Sequence, residues 1–502
     1  GFYRPVYMLS FMLNYRFSKL NTVSYHLFNI IFHIINALLL YILMLNLGLQ
    51  RKAAWLTGLL FVLYPVNCQA VALIGGRIEI IFGLLFLLCM IAFLRGIEKS
   101  RLYFLLSIFL FILAVFTKES ALILPFIMLA HTLVFLEKEK RKKAIPVLLA
   151  LTGIVIIYCS VRFFLLGSPF HSTLSLINEA SFLERLYTFP RIILTYVQLI
   201  VIPVVLKSEY HFVVHNFKDP FVWLGLPFLI LLFLSVYRFL KPRKQALFFS
   251  CWFFIGLLPY YNLIIPLHAT LSEHWVYFSA MAFAGLMSMA IFNIRERIAS
   301  RRLRYALGAA LVFLLLFYVF RIVERNREWR DPFVLYQRDV EREPNSFLLH
   351  CNLGVEYFRR DMMEEAKKEF IASNETSPGS GYDVAYNNLG VIYTREGRVQ
   401  EAISCYKAGI ALNSYALSYA NLGALYNSMK RHSDAIPLLE EGTHLYPIDV
   451  EIKYQLGAAY YYSGQINSAK KTFDMVQDLR RDYSNTKAFL DFIKETTEGT
   501  EK

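Results

Sequence analysis

The sequence predicts an all-α protein in two parts, a polytopic bundle of transmembrane helices followed by an α-solenoid of paired helices. Three observations predict it. Of the 502 residues 56% are apolar and only 18% charged, with a mean hydropathy of +0.43, whereas soluble globular chains run at about 45–50% and about 25%. The charge is unevenly divided: residues 1–325 hold 31 Lys/Arg against 12 Asp/Glu, and residues 326–502 hold 21 against 26. The second part also repeats itself at a fixed interval. This composition excludes a disordered chain, a disulfide scaffold and an ordinary soluble enzyme. The basic surplus lies wholly in the apolar part, where it reads as membrane orientation rather than nucleic-acid affinity. Cys68, Cys89, Cys159, Cys251, Cys351 and Cys405 are scattered and form neither a metal spacing nor a disulfide grid, so no metal site is expected from them.

A bilayer core of about 30 Å needs about 20 apolar residues per helix. Expected spans are 24–47, 52–65, 78–95, 102–117, 120–136, 145–166, 186–205, 220–240, 245–262, 275–294 and 304–322. Several are short and closely spaced, as in a bundle of tilted or kinked helices. Five basic clusters fix the orientation: Arg51-Lys52; Arg95, Lys99 and Arg101; Lys138 with Lys140 to Lys143; Arg238, Lys241, Arg243 and Lys244; and Arg295, Arg297, Arg301, Arg302 and Arg304. They take 19 of the 31 basic residues and are placed in the cytoplasm. Three spans between the third and fourth clusters leave an odd number of crossings. Segment 186–205, with Pro190, Arg191 and Pro203, is therefore read as re-entrant or interfacial. Ten crossings remain, which puts 1–22, 66–77, 117–119, 167–219, 263–274 and everything after 323 outside. The expected organisation is a membrane domain over 1–325, a linker and docking helix over 326–346, repeats over 347–482, and a capping helix and tail over 483–502.

Leu353-Gly354, Leu389-Gly390, Leu422-Gly423 and Leu456-Gly457 recur at intervals of 36, 33 and 34 residues, the period of the tetratricopeptide repeat (TPR). Tyr357, Tyr393, Tyr426 and Tyr460 follow each Gly by three residues. Ala366, Ala402, Ala435 and Ala469 follow by twelve, and Phe370, Tyr406, Leu439 and Phe473 come four later. Small Gly and Ala let paired helices approach, and the large side chains fill the space between them. Asn352, Asn388, Asn421 and Gln455 each precede a Leu at a position that faces the concave groove of a TPR superhelix. An amide donates to a peptide C=O and accepts from a peptide N–H, so the four read either as a ladder gripping an extended acceptor chain or as residues simply common at that position.

The membrane part carries ordered phrases: Tyr3-Arg4-Pro5, Leu13-Asn14-Tyr15, His26-Leu27-Phe28-Asn29 followed by His33, Tyr64-Pro65-Val66, Gly76-Arg77-Ile78-Glu79, Lys118-Glu119-Ser120 and Glu273-His274-Trp275-Val276-Tyr277. With a TPR array after the last span, this order resembles the transmembrane-and-TPR-containing protein O-mannosyltransferases of the GT-C glycosyltransferase superfamily, in a bacterial-type, N-terminally truncated relative. The resemblance implies transfer of a mannose-like sugar from a polyprenyl-phosphate donor to a protein acceptor on the extracytoplasmic side. It implies no certain cofactor and leaves a divalent metal open. It places the catalytic acid ahead of the Tyr3-Arg4-Pro5 phrase, hence upstream of Gly1. His274 departs from the family phrase, which usually has Arg there. A bacterial inner membrane is favoured, with the endoplasmic reticulum as the alternative. A non-catalytic membrane-anchored TPR scaffold for envelope assembly is the competing function, and a lipid-linked flippase or polymerase a third.

Transfer from a lipid phosphate needs cations for the leaving group and a base for the acceptor hydroxyl. Arg4, Arg77 and Lys118 are the cationic candidates, with His274 conditional on protonation. Pro5 would hold Arg4 in an extended loop, and Gly75-Gly76 would let a phosphate approach Arg77. Glu79, Glu119 and Glu273 abut apolar spans, where a charge normally has a partner. The nearest partners in sequence are Arg77 for Glu79 and Lys118 for Glu119. Glu79 and Glu273 are retained as candidates for positioning sugar or acceptor. His26, Asn29, His33 and Asn36 share one helix face and read as polar contacts between helices, with His26 near enough to the outer end to reach the donor.

Overall fold

The computed structural model describes residues 3–166, 175–413 and 415–500, in two units, Gly1–Leu335 and Tyr336–Lys502. The expected outer segment 167–219 is described from Ser175 onward, and its residues 167–174 lie outside the described residues. Among the described residues there is no strand, only an isolated bridge between Tyr210 and Leu271.

The first unit runs α1 (Pro5–Ser18), α2 (Thr22–Asn46), α3 (Arg51–Leu63), α4 (Cys68–Ala72), α5 (Arg77–Glu98), α6 (Leu102–Val115), α7 (Leu124–Phe135), α8 (Lys138–Leu166), α9 (Leu176–Glu179), α10 (Phe182–Val201), α11 (Pro220–Trp223), α12 (Gly225–Phe239), α13 (Arg243–Leu257), α14 (Tyr277–Arg297) and α15 (Arg301–Trp329). Each expected span overlaps one of these helices, except 220–240, which covers both α11 and α12. Among the described residues five segments are long and apolar enough by themselves to cross a membrane: Thr22–Asn46, Ile74–Glu98, Lys138–Phe164, Glu273–Arg297 and Arg301–Trp329. The pair Arg51–Leu63 and Pro65–Ala72, bent by 51°, makes a sixth if it counts as one span. The bend falls at Tyr64-Pro65, where proline withholds the N–H that a continuing helix needs. The segment read as re-entrant is α10, opened by a capping box between Ser181 and Glu184. Its Arg191 stacks on Phe212 and Phe221, at 4.4 and 4.9 Å, which shields a charge that would be costly in lipid.

The core is one continuous apolar cluster drawn mainly from α2, α3, α5, α7, α13 and α14, with Phe61, Phe86, Trp252 and Tyr277 among its fully buried large side chains. The polar face of α2 is turned into it, as expected for contacts between helices. Asn36 Nδ2 donates to the Ile80 carbonyl and to Tyr277 Oη, and His33 Nδ1 lies 2.8 Å from the same Tyr277 hydroxyl.

Arg4 departs from expectation. It stands at the N-cap of helix α1 (Pro5–Ser18) rather than in an extended loop. Pro5 is the cause: at the first helical position its missing N–H has no partner to lose and its fixed φ suits the helix.

The second unit contains α16 (Pro332–Arg342) from Tyr336 on, then α17 (Phe347–Arg359) with α18 (Met363–Thr376), α19 (Asp383–Arg395) with α20 (Val399–Asn413), α21 (Ala416–Ser428) with α22 (His432–Leu445), and α23 (Val450–Tyr462) with α24 (Ile466–Leu479). α25 (Thr486–Thr500) follows. In every pair the repeat glycine lies under the large residue of the second helix. A Cβ on Gly354 would come within 2.7 Å of Phe370, on Gly390 within 2.5 Å of Tyr406, on Gly423 within 2.5 Å of Leu439, and on Gly457 within 2.9 Å of Phe473. These distances are shorter than any packed carbon contact, so glycine sets the spacing of each helix pair. α25 covers the end of the array, with Phe489 stacked 4.8 Å from Phe473 and Ile493 buried.

Candidate functional site

The polar residues of the membrane unit gather where α1, α5, the α6–α7 turn, α8 and the segment after α13 meet. The turn Lys118-Glu119-Ser120 organises them, because successive side chains on it leave in different directions. Lys118 Nζ donates to Glu79 on α5 and, at 2.7 Å, to Tyr260 Oη, which is also 2.8 Å from Ser120 Oγ. All four side chains are buried, and Tyr260 stacks on Trp275 with centroids 5.3 Å apart. Glu79 Oε2 is buried with no hydrogen-bond partner among the described residues.

Glu119 turns the other way, into a more open setting. Its Oε2 accepts from Arg4 Nε at 3.1 Å and Arg4 Nη2 at 2.7 Å, and its Oε1 accepts from Arg162 Nη1 at 2.9 Å. The same Arg162 nitrogen reaches Tyr158 Oη at 2.9 Å. These side chains remain 24% (Arg4), 23% (Glu119) and 16% (Arg162) exposed. Two guanidinium groups thus flank one carboxylate at a partly exposed place, and their planar donors are of the kind suited to phosphate oxygens. Tyr3 and Tyr158 both meet Phe116 edge-on at 6.3 Å, an apolar border to the charged group.

The pairings expected from sequence proximity are corrected here. Glu79 pairs with Lys118 and not with Arg77, and Glu119 pairs with Arg4 and Arg162 and not with Lys118. Arg77 is fully buried and each of its three nitrogens has a partner: Nε donates to Asn29 Oδ1 at 3.1 Å, Nη1 to the Ser10 carbonyl at 3.2 Å, and Nη2 to the Tyr25 carbonyl at 3.1 Å. Phe11, Tyr25 and Phe28 cover its faces at 4.5, 5.4 and 4.1 Å. It joins α1, α2 and α5 and offers nothing to a phosphate. Gly76 is likewise structural, since a Cβ there would fall 2.3 Å from the Ala70 carbonyl oxygen. Glycine at this position lets the chain fold back on α4 and leaves no opening for a ligand.

Glu273 and His274 lie in a second polar group. Glu273 is fully buried, and its Oε1 accepts from the Lys207 backbone N–H at 2.5 Å and from Tyr210 Oη at 3.0 Å. His274 Nδ1 is 2.8 Å from Ser272 Oγ, and its backbone N–H donates to Gln69 Oε1 at 2.9 Å. The Ser272 hydroxyl reaches Gln69 Oε1 and the Ser208 carbonyl. These bonds fasten the segment before α14 to α4 and to the strand-like stretch around Tyr210. His26 is half-buried on α2. Arg162, Tyr260, Tyr210 and Gln69 are not among the candidates that sequence reasoning finds. Only Arg162 carries a signal, as a lone charge late in an apolar helix. Among the described residues no three His, Cys, Asp or Glu side chains gather as metal ligands, so no step is assigned to a metal.

In the repeat unit Asn352 is exposed, while Asn388, Asn421 and Gln455 are half-buried. Asn421 Nδ2 donates to Asn387 Oδ1 at 2.9 Å, and Gln455 Nε2 to Glu451 Oε1 at 2.9 Å. Asn387 Nδ2 donates to Asn388 Oδ1 at 3.5 Å, so three of the four amides are engaged by neighbours, and Asn427 joins them through its bond to the Gln455 carbonyl at 3.0 Å.

A tetratricopeptide repeat model matches residues 384–415. Protein O-mannosyl-transferase TMTC3 of Mus musculus is 23% identical over 80% of this chain and 47% of its own length. The Homo sapiens TMTC3 protein is 24% identical over the same shares. Protein O-mannosyl-transferase F38B6.6 of Caenorhabditis elegans is 25% identical over 75% of this chain and 54% of its own. The chain spans about half the length of these curated relatives. Among solved structures, MamA 41-end from Desulfovibrio magneticus RS-1 is similar at 20% identity, over 30% of this chain and 85% of that one, with a TM-score of 0.28. The chain is a homologue of protein O-mannosyl-transferases, the family its ordered phrases resemble.

Proposed function

We propose that this chain is the membrane and first TPR portion of a glycosyltransferase that moves a mannose-like sugar from a polyprenyl-phosphate donor to a protein acceptor. The observation that carries the reading is the carboxylate of Glu119 held between Arg4 and Arg162 at 2.7 and 2.9 Å, partly open to solvent. A leaving phosphate gains negative charge as the sugar departs, and guanidinium donors already aimed by Glu119 stabilise that charge without reorganising. Lys118, one residue away, belongs to the buried pair beneath and holds the turn from which Glu119 projects. The base for the acceptor hydroxyl is assigned to the segment ahead of Tyr3-Arg4-Pro5, where the family resemblance puts it.

Orientation follows from charge. The five basic clusters lie at the opposite helix ends from the Arg4–Glu119–Arg162 group, so the positive-inside tendency places that group and the repeats outside the cytoplasm. The Asn352, Asn388, Asn421 and Gln455 surface then receives the acceptor. The test is sugar transfer from a polyprenyl-phosphate mannose to a peptide acceptor, by the full-length protein in membranes. Arg162→Gln is expected to lower kcat/KM on the order of a hundredfold. Retention of full transfer by that variant would overturn the phosphate assignment. Failure of transfer from every polyprenyl-phosphate sugar, with peptide binding intact, would favour the scaffold reading.

A further inference from the structure

An apolar groove runs along the far side of α14 from the polar cluster. Phe283, Leu286, Met287, Ala290, Asn293 and Arg297 form one stripe on that helix, and Val197 of α10 and Phe253 of α13 face it across a cavity of about 440 Å³. From Phe283 to Arg297 the stripe is about 21 Å long at 1.5 Å per residue, more than the ~15 Å of one leaflet of the bilayer core. The walls are hydrocarbon for nearly the whole length. At one end they are not. Asn293 grips the backbone of Lys241 from both sides, accepting its N–H at 2.9 Å and donating to its carbonyl at 2.8 Å. One turn on, Arg297 Nη2 donates to the Phe239 carbonyl at 2.6 Å. The turn between α12 and α13 is thereby tied to the foot of α14. Arg238 and Arg297 both lie over the Phe239 ring at 5.9 Å, and Lys241, Arg243, Lys244 and Arg295 lie within six residues of one or the other in sequence. Glu296 is the carboxylate of α14 at this end, one residue from Arg297 and so about 100° round the helix.

We propose that this groove holds one alkyl chain of an anionic phospholipid, with the lipid phosphate on Arg297 and Lys241. Charge complementarity selects the headgroup, because a zwitterionic lipid would bring a cation towards Arg238, Arg297 and the basic residues that flank them. Position separates this lipid from the sugar donor. Tyr277, at the other end of α14, bonds to His33 and Asn36, and it stands about 30 Å from Arg297 along the helix. A donor with its phosphate on Arg4 and Arg162 cannot also place it on Arg297. The bound phospholipid wedges α10 and α12 against α13 and α14, a contact that protein side chains leave incomplete.

The test is native mass spectrometry of the protein released from nanodiscs of equal phosphatidylglycerol and phosphatidylcholine, with polyprenyl phosphate added in a second arm. Retention of phosphatidylglycerol over phosphatidylcholine by about tenfold is expected, at roughly the strength of a lipid charge meeting one or two basic side chains. Ala290→Trp, which fills the groove, and the double variant Lys241→Ala/Arg297→Ala are each expected to abolish the preference. The double variant keeps the hydrocarbon walls and the two Asn293 bonds to the Lys241 backbone, and serves if Ala290→Trp does not fold. Equal retention of the two phospholipids, or an unchanged preference in the double variant, would overturn the proposal. Displacement of phosphatidylglycerol by polyprenyl phosphate from the wild type would overturn it as well, by assigning the groove to the donor.

Discussion

Lys118 and Glu79, 39 residues apart in sequence, form a buried ion pair across the α6–α7 turn and α5, with Tyr260 as the second acceptor of the ammonium group. Both side chains are almost fully shielded. Such a pair costs much to desolvate and far more to break, because removing one member strands the other. Its position is informative: it lies directly under the turn that presents Glu119 to the two arginines, so the buried pair sets the geometry of the exposed group.

Lys118→Met is therefore expected to destabilise the membrane unit by about 3–5 kcal/mol, and Glu79→Gln by somewhat less, since its Oε2 is already without a partner among the described residues. The double variant should be less harmed than Lys118→Met alone. Thermal unfolding in detergent of the two single variants and the double completes the cycle. Strict additivity would show that the two residues do not share an interaction.

The glycines of the repeats give a graded test. Gly423→Ala puts a carbon within 2.5 Å of Leu439, whereas a Cβ on Gly308 of α15 would meet nothing within 4 Å. Gly423→Ala is expected to cost about 1–3 kcal/mol by overpacking. Hydrogen exchange of α21 and α22 in the intact chain should accelerate accordingly. Gly308→Ala should leave exchange in α21 and α22 unchanged and should not lower the thermal midpoint, since alanine is the better helix former there.

His350 provides a pH dependence confined to the repeats. Its Nδ1 is 2.6 Å from Glu369 Oε2 and its Nε2 is 2.9 Å from the Pro344 carbonyl. Both partners only accept, so both ring nitrogens must carry hydrogen, which is the imidazolium form. Burial opposes that charge, but Glu369 and the Pro344 carbonyl outweigh it and hold the pKa above its ordinary 6.5. A raised folded-state pKa contributes stability that is complete below the unfolded value and is lost as pH rises through the folded value. First-repeat stability is thus expected to fall as pH rises above about 6.5. The slope should vanish in His350→Gln. Exchange rates of α17 measured across that range check it.

Asn352→Ala with Asn388→Ala is expected to weaken binding of an unfolded acceptor peptide about tenfold, roughly one hydrogen bond lost at each site. Asn421→Ala should act differently, because it also leaves Asn387 without its 2.9 Å donor and so lowers stability. Peptide titration and thermal unfolding of the three variants separate the two effects.

What can be read from sequence divides along physical lines. The glycine and large-residue spacing of the repeats is legible because a local period specifies local packing, and Gly390 over Tyr406 is the direct result. The polar face of α2 is legible for the same reason. Ion-pair partners are not. Adjacent side chains such as Lys118 and Glu119 leave the backbone in different directions, so the nearest residue in sequence is seldom the partner in space. Arg162 is hidden by the apolar helix around it, though it lies 43 residues from the Glu119 that it bonds. Gly76 and Arg77 resemble a ligand-binding phrase. Glycine permits close approach to any neighbour, and here the neighbour is the chain's own carbonyl at Ala70.

The cage around Arg77 bears on how the sequence of α1 can drift. The guanidinium is anchored there to the carbonyl of Ser10, a group that every residue possesses, so the bond places almost no demand on which side chain occupies position 10. It demands instead that a carbonyl arrive at that spot. As far as this bond is concerned position 10 can change while the register of α1 holds, whereas a single inserted or deleted residue between Pro5 and Ser10 would rotate the carbonyl away and leave a buried cation short of an acceptor.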